Sequence, residues 1–231
     1  MSSAGLPPAP SAYETLAALL RDRHSCRAFR PEPVARGQIV RVLEAAQRTA
    51  SWCNAQPWQV HIASGARLER LRSALQTQAD QPGRPELDWP REYQGVYRQR
   101  RRDCAMQLYG AVGIAAGDRE ASARQSAENF RLFGAPHLAI VTSDEALGTY
   151  GAIDCGAYVA NFLLAAQALG IAAIPQAAVA AHPATLREHL DIAAGRRIVC
   201  GISFGWSDED HRANGFRTPR APLDESVVWA G

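Results

Sequence analysis

The 231-residue sequence lacks lysine, and it also lacks a strong excess of either charge. A net charge of +2 and a pI of about 8.4 are too mild to attract nucleic acid or an anionic membrane surface. All 25 basic residues are arginines, whose planar guanidinium groups make forked contacts with phosphate and carboxylate. The charge pattern therefore argues against nucleic-acid and membrane partners and favours specific anion contacts over diffuse attraction.

Cysteine pairs with redox or metal spacing are also missing. No cysteine belongs to a C-x-x-C motif or to a Cys/His cluster of zinc spacing. An odd, scattered set indicates free thiols in a reducing compartment, so we expect a cytoplasmic protein without a bound metal. For Cys53 we expect a small, buried apolar side chain. The five cysteines are Cys26, Cys53, Cys104, Cys155 and Cys200.

Targeting and membrane segments are not apparent either. Residues 1–10 are rich in Pro, Ala and Ser but have neither a basic start nor an apolar core, so we expect a disordered tail. The longest apolar stretch, residues 151–174, is interrupted by polar residues such as Asp154, and Gly170 closes its helical part. A buried helix running into a strand fits this stretch better than a membrane span.

Three common ligand motifs are absent from the chain. There is no G-x-G-x-x-G after a strand, no P-loop and no H-E-x-x-H. These absences exclude the usual dinucleotide, nucleoside-triphosphate and zinc-hydrolase interpretations.

Hydrophobic periodicity predicts helices that alternate with short strands. Two amphipathic helices come first, separated by a connector that contains Pro31 and Pro33. This alternation indicates a mixed sheet covered by helices. Predicted helices cover residues 11–23, 39–46, 65–75 and 151–169, and predicted strands cover 59–62, 138–141, 171–174 and 198–204.

We expect one domain over residues 11–231, with a helical excursion at about 80–129. The excursion carries Tyr93, Tyr97 and the arginine-rich run at 98–102. This run indicates either a solvated helix face or a cap over a pocket for acidic or aromatic substrates. The irregular segment 211–231 has little periodicity, so we expect it to pack on another surface, such as a neighbouring subunit.

Four polar segments carry the residues best suited to binding. Each is weak evidence alone: a helix end with two arginines, a loop with two amides between tryptophans, the end of an apolar strand, and two tail arginines. In chain order they are 23–27 (RHSCR), 51–58 (SWCNAQPW), 175–178 (PQAA), and Arg217 with Arg220.

Taken in order, these segments resemble the FMN-binding pattern of the nitroreductase family, over about residues 14–228. The 51–58 loop looks closest to the aromatic nitro-compound reductases of that family. The resemblance implies an α+β fold of three layers, α/β/α, with a mixed sheet and a C-terminal extension that packs on a partner subunit. It also implies a homodimer with FMN at its interface.

The same resemblance assigns the FMN contacts to particular residues. Three positions depart from the family pattern: Ala50 replaces a proline, Ala177 a frequent glutamate, and Thr218 a lysine of some members. The implied contacts are Arg23, His24, Ser25 and Arg27 at the phosphate and ring; Ser51, Trp52, Cys53, Asn54 and Gln56 from the partner subunit; Pro175, Gln176, Ala177 and Ala178 near flavin N5; and Arg217 and Arg220 at the phosphate.

By resemblance, the reaction is a ping-pong transfer of two electrons from NADH or NADPH to a small nitroaromatic or quinone-like acceptor. Arg27 is the residue expected to stabilise the reduced flavin. Trp52, Tyr93 and Tyr97 are candidates for stacking on the acceptor. The alternatives are a reductive dehalogenase or ene-type reductase on the same scaffold, and a flavin-binding module without catalysis.

Overall fold

Residues 9–230 are described by the computed structural model of the chain. The predicted tail, residues 1–10, lies outside this range except for its last two residues. The helices are α1 Ala12–Asp22, α2 Arg36–Ala46, α3 Gly65–Gln76, α4 Gly95–Val112, α5 Arg119–Ala127, α6 Gly148–Ala168 and α7 Pro183–Leu190. The strands are β1 Gln59–Ser64, β2 His137–Asp144, β3 Ala172–Gln176 and β4 Arg196–Gly205.

The four strands form one sheet in the order β1-β2-β4-β3, and neighbouring strands are antiparallel. The parallel component expected of a mixed sheet is an isolated bridge, in which Ser25 pairs with Ala173 of β3. The Cys26 amide also donates to the Ala173 carbonyl at 3.3 Å. The segment that follows α1 therefore runs along the outer edge of β3 and brings its polar side chains to the sheet.

Both faces of the sheet are covered by helices, as the predicted three-layer architecture requires. On one face, Ala139 and Val141 of β2 pack in a cluster with residues of α2 and α6, including Phe162. On the opposite face, Leu138 and Ile140 pack with leucines of α3 and α7. Burial on two faces explains why β2 is a continuous apolar run and does not alternate with polar residues.

The four predicted helices correspond to α1, α2, α3 and α6, and the four predicted strands to β1–β4. The periodicity did not predict α7, and it gave no bounds for the helices of the excursion. The excursion at 80–129 contains α4 and α5, and α4 has no fully buried residue. Its arginines make local and tail contacts: Arg100 pairs with Glu225 at 2.7 Å, and the Arg101 guanidinium lies 5.3 Å from the centre of the Tyr93 ring. The single-domain organisation over 11–231 remains a prediction.

The apolar stretch at 151–174 forms most of α6 followed by β3, as predicted. Among the helices within residues 9–230, none is long and apolar enough to cross a bilayer.

A buried histidine links the sheet to the connector before α2. His137 is 4% exposed, and its Nε2 accepts the Val34 amide at 2.8 Å. Because that nitrogen accepts, the ring proton lies on Nδ1, which donates to the Ser64 hydroxyl at 2.6 Å. Burial lowers the pKa of His137, so the neutral ring is the form that the fold requires.

We predict that His137→Gln reduces the acid sensitivity of folding. Since the folded-state pKa lies below the unfolded value of about 6.5, the His137 contribution is complete above that pH and declines as pH falls below it. Urea unfolding between pH 5 and 8 should show a shallower pH slope for the variant. Some slope should persist, because burial also lowers the pKa of His24, His61 and His182. Identical slopes in both proteins would contradict this assignment.

Candidate active site

A cavity of 410 Å³ lies where the end of α1, the 23–27 segment, α4 and the C-terminal segment meet. Its volume is in the range of cofactor pockets. It unites the first and fourth of the sequence segments, which are almost 200 residues apart in the chain. The lining includes Arg23, His24, Ser25, Arg27, Cys104, Phe216, Arg217 and Arg220.

Local backbone geometry places the first segment in this cavity. Helix α1 ends at Asp22, and Arg23 is extended with ψ 124°, which turns the chain out of the helix and onto the β3 edge. In extended backbone successive side chains point to opposite sides. Cys26 is therefore buried in the core, while the neighbouring Ser25 and Arg27 line the cavity.

Asn214 connects the C-terminal segment to the 23–27 segment by hydrogen bonds. Its side-chain oxygen accepts the Arg27 amide at 2.7 Å, and its Nδ2 donates to the carbonyls of Ala28 at 2.9 Å and Asp208 at 2.8 Å. The Asn214 carbonyl accepts the Arg217 guanidinium at 2.8 Å, and Phe216 packs its ring against Arg27. Sequence reasoning did not assign a role to Asn214 or Phe216, because a lone residue in an irregular segment has no periodic signature.

Of the five arginines that line the cavity, Arg21 pairs with Asp22 at 3.3 Å, and the other four have no acidic partner among the described residues. Within residues 9–230, no carboxylate lies within 4 Å of the guanidinium groups of Arg23, Arg27, Arg217 or Arg220. Burial lowers the pKa of Arg23, and the nearby Arg220 charge lowers it further. Burial also lowers the pKa values of Arg27 and His24. A bound anion would offset both the repulsion and the lost hydration.

A second cavity of 260 Å³ adjoins the first, because Ser25 and Arg27 line both. Pro175, Gln176 and Ala177 also line the second cavity, and Ala178, in the following 3-10 turn, is not among its lining residues. Arg27 also lines a third cavity of 490 Å³. The Arg27 side chain thus lies where three cavities meet.

The Gln176 side chain is used inside the protein. It is 2% exposed, its Nε2 donates to the Asn129 carbonyl at 3.0 Å, and its Oε1 accepts the Ser203 hydroxyl at 2.5 Å. Any ligand contact made by this segment would come from its backbone and from the exposed Pro175 and Ala177.

The excursion helix α4 covers both cavities. Cys104 lines the first cavity, and Ala105, Leu108 and Tyr109 line the second. The opposite side of α4 is exposed, as a solvated helix face would be. That the helix caps a pocket for acidic or aromatic substrates stays a prediction.

The loop at 51–56 lies apart from these cavities, and none of its residues is among their lining residues. The Trp52 amide donates to the Asp154 carboxylate at 3.1 Å, and the Trp52 ring packs edge-on against Tyr150 of α6. The expectation of a buried Cys53 is wrong for this chain, because Cys53 is exposed in a tight turn. Within one chain, therefore, three of the four segments lie close together, and the segment at 51–58 lies apart from them.

The backbone of this loop is strained, and hydrogen bonds hold it in that conformation. Cys53, Asn54 and Gln56 have positive φ values of 50°, 55° and 47°, and each costs on the order of 1 kcal/mol for a residue with a Cβ. The Ser51 hydroxyl accepts the Gln56 amide at 2.9 Å, and two turn hydrogen bonds close the loop. Such strain occurs preferentially at functional sites.

The family model described as the nitroreductase family matches residues 20–206 of the chain. The chain belongs to the nitroreductase family. It is 38% identical to nitroreductase NfnB from Mycolicibacterium smegmatis over the full length of both proteins. It is 34% identical to a 4-nitrobenzoate reductase from Nocardioides sp. strain LMS-CY, over 94% of this chain and 91% of that protein.

A solved nitroreductase confirms the predicted fold class. The crystal structure of the FMN-dependent nitroreductase NfnB from Mycobacterium smegmatis in complex with NADPH superposes with a TM-score of 0.90. That superposition covers 96% of this chain and 100% of that chain at 34% identity.

This nitroreductase-family chain has no carboxylate where Ala177 replaces the frequent glutamate. The described lining of the second cavity contains neither Asp nor Glu, and its charged residue is Arg27. Backbone groups, the hydroxyls and amides of the lining, and Arg27 are therefore the polar groups available there.

We predict that Asn214→Ala lowers the free energy of unfolding by about 2 kcal/mol, because buried or partly buried backbone groups of Arg27, Ala28 and Asp208 lose their hydrogen bonds. Chemical denaturation provides the measurement. The control is Gln81→Ala at an exposed position, where we expect a change below about 0.5 kcal/mol. Equal stability of the two variants would show that Asn214 does not fasten the tail.

Proposed function

We propose that this protein is an FMN-dependent NAD(P)H nitroreductase, with the flavin phosphate held in the arginine-lined cavity. The observation that carries the proposal is the group of four guanidinium groups without a carboxylate within 4 Å, among the described residues, in a 410 Å³ cavity. A phosphate monoester supplies the missing negative charge and several acceptors for forked donors. Arg23, Arg217 and Arg220 would hold it, with the Ser25 hydroxyl beside them.

The relatives support the same activity. One is described as FMN-dependent and is bound to NADPH in its crystal structure, and another is a reductase of 4-nitrobenzoate. Neither of these is a dehalogenase, an ene-type reductase or a non-catalytic flavin carrier, so the alternative functions gain no support. Nitroaromatic compounds are the acceptor class to test first, with NADPH beside NADH as donor.

When bound, FMN would supply the redox chemistry, a two-electron transfer from the nicotinamide to the acceptor in two half-reactions. The protein's part is to bind, orient and stabilise charge. Arg27 lies between the phosphate-binding cavity and the cavity formed by Pro175–Ala177, so its guanidinium is placed to offset negative charge that builds up on reduction. A partly buried cation of this kind contributes about 2–4 kcal/mol.

We infer that the working unit is a homodimer. Trp52 and Tyr150 are 59% and 57% exposed, and Leu147 and Ile153 of the same region are also exposed. The C-terminal residues Val228 and Trp229 are more exposed still. Exposed apolar groups of this size are typical of protein interfaces. The family resemblance assigns the 51–56 loop to the partner's flavin, and a dimer would bring this loop to the other three segments.

Cytoplasmic location remains a prediction from the scattered cysteines.

The first prediction from this proposal is that the protein purifies as a yellow dimer or binds FMN on reconstitution. Anaerobic addition of NADPH or NADH should then bleach the flavin absorbance, and a nitroaromatic acceptor should restore it. Flavin that binds but is not reduced would favour a binding module instead. A folded protein that binds no FMN would refute the proposed function.

The second prediction separates phosphate binding from catalysis. Arg23→Ala combined with Arg220→Ala should lose FMN on gel filtration, because both guanidinium groups line the phosphate cavity. Arg70→Ala combined with Arg124→Ala removes two exposed arginines and should leave FMN occupancy unchanged. Retention of full FMN by the first pair would refute the phosphate assignment.

The third prediction concerns Arg27. Arg27→Ala should retain FMN but slow its reduction roughly 30- to 1000-fold, as a loss of about 2–4 kcal/mol of charge stabilisation implies. Stopped-flow measurement at saturating NADPH gives the rate. Unchanged reduction kinetics would remove Arg27 from the catalytic role.

A further inference from the structure

A chain of side-chain hydrogen bonds runs from the core to the 51–56 loop. The indole Nε1 of Trp58 donates to Gln47 Oε1 at 2.9 Å, and Gln47 Nε2 donates to Gln56 Oε1 at 3.1 Å. Gln56 Nε2 then donates to the Asn54 carbonyl at 3.3 Å. Trp58 is 8% exposed, whereas Gln47 and Gln56 are exposed, so the chain starts at a rigid, buried group.

Chemistry fixes the direction of this chain. An indole N–H can only donate, so Gln47 must turn its oxygen towards Trp58 and its NH₂ towards Gln56. Gln56 must then turn its oxygen towards Gln47. The orientation of two amides, each of which has two nearly equivalent states, thus follows from one tryptophan.

As a consequence, the NH₂ group of Gln56 points away from Gln47 and can donate a hydrogen bond to another group. One hydrogen of that group reaches the Asn54 carbonyl, and the other has no partner among the described residues. The Gln56 backbone is already held at φ 47° by its bond to the Ser51 hydroxyl, so the side-chain torsions and the amide orientation are its remaining freedom. Gln47 removes much of that freedom.

We propose that Gln47 is a positioning residue, which holds the Gln56 amide so that the loop presents a hydrogen-bond donor to an acceptor atom of the partner subunit's flavin. The proposal rests on the proposed function, since it needs FMN and the dimer. It assigns a role to a residue outside the four segments, at the end of α2.

The hydrogen bonds that link Trp58, Gln47 and Gln56 form a relay. Two substitutions at Gln47 interrupt this relay in different ways. Gln47→Glu keeps the acceptor for Trp58 but has no donor, so the Gln56 amide must turn over and present its oxygen to the flavin. Gln47→Met keeps the length without charge and leaves the Gln56 amide unfixed. We expect FMN to bind about tenfold more weakly to each variant, the size of one hydrogen bond. Gln81→Glu, which carries the same charge change at an exposed position, should bind FMN as the parent dimer does.

The measurement is the FMN dissociation constant of the full-length dimer, from quenching of flavin fluorescence, in a double-mutant cycle with Gln56→Ala. If Gln47 acts through Gln56, Gln47→Met has no further effect in the Gln56→Ala background. Additive effects would show a general structural role and overturn the proposal. A second measurement is the NMR resonance of the Trp58 indole N–H, which is assigned by its loss in Trp58→Phe. In FMN-free protein, this resonance should shift in Gln47→Met.

The outcomes separate the two proposals. A parent protein that binds no FMN refutes the proposed function and the relay with it. A parent that binds FMN, with Gln47 variants of equal affinity, refutes the relay alone. An unshifted Trp58 signal in Gln47→Met shows that the indole bond is not made, which also overturns the relay.

Discussion

The pairing of the 23–27 segment with the edge of β3 is the constraint on which the site depends. The Ser25–Ala173 bridge sets which side chains of that segment face inward, so Cys26 is buried while Ser25 and Arg27 line the cavities. It also sets the neighbours of Arg27, because the end of β3 supplies the wall of the second cavity. Asn214 then attaches the C-terminal segment to the same backbone and brings Arg217 and Arg220 to the cavity.

The cavity formed in this way gathers like charges. Arg23 and Arg220 repel one another, and burial weakens the hydration of Arg23 and Arg27. Such an arrangement costs free energy until an anion binds, so the proposed FMN phosphate and the folded state would stabilise each other. In the catalytic role proposed for Arg27, the partly dry environment would make its guanidinium more effective than it would be in water.

The 51–56 loop is exposed, so its conformation depends on hydrogen bonds because no hydrophobic core surrounds it. Its positive φ values cost free energy that the hydrogen bonds of Ser51 and Asp154 help to offset, and the indole of Trp58 connects it to the interior. A loop held by these hydrogen bonds would lose little entropy on binding, which would favour a tight contact across the proposed dimer interface.

The sequence by itself determined the strands, most of the helices and the family. Periodicity located every strand and the helices α1, α2, α3 and α6, and it placed a helical excursion where α4 and α5 lie. The ordered segments identified the family, because local patterns encode local structure and motif order. Only the tertiary structure decided the antiparallel strand order, the exposure of Cys53 and the hydrogen bonds of Asn214 and Gln47. These depend on contacts between residues distant in the chain, or on the orientation of a single amide, and neither leaves a periodic trace in the sequence.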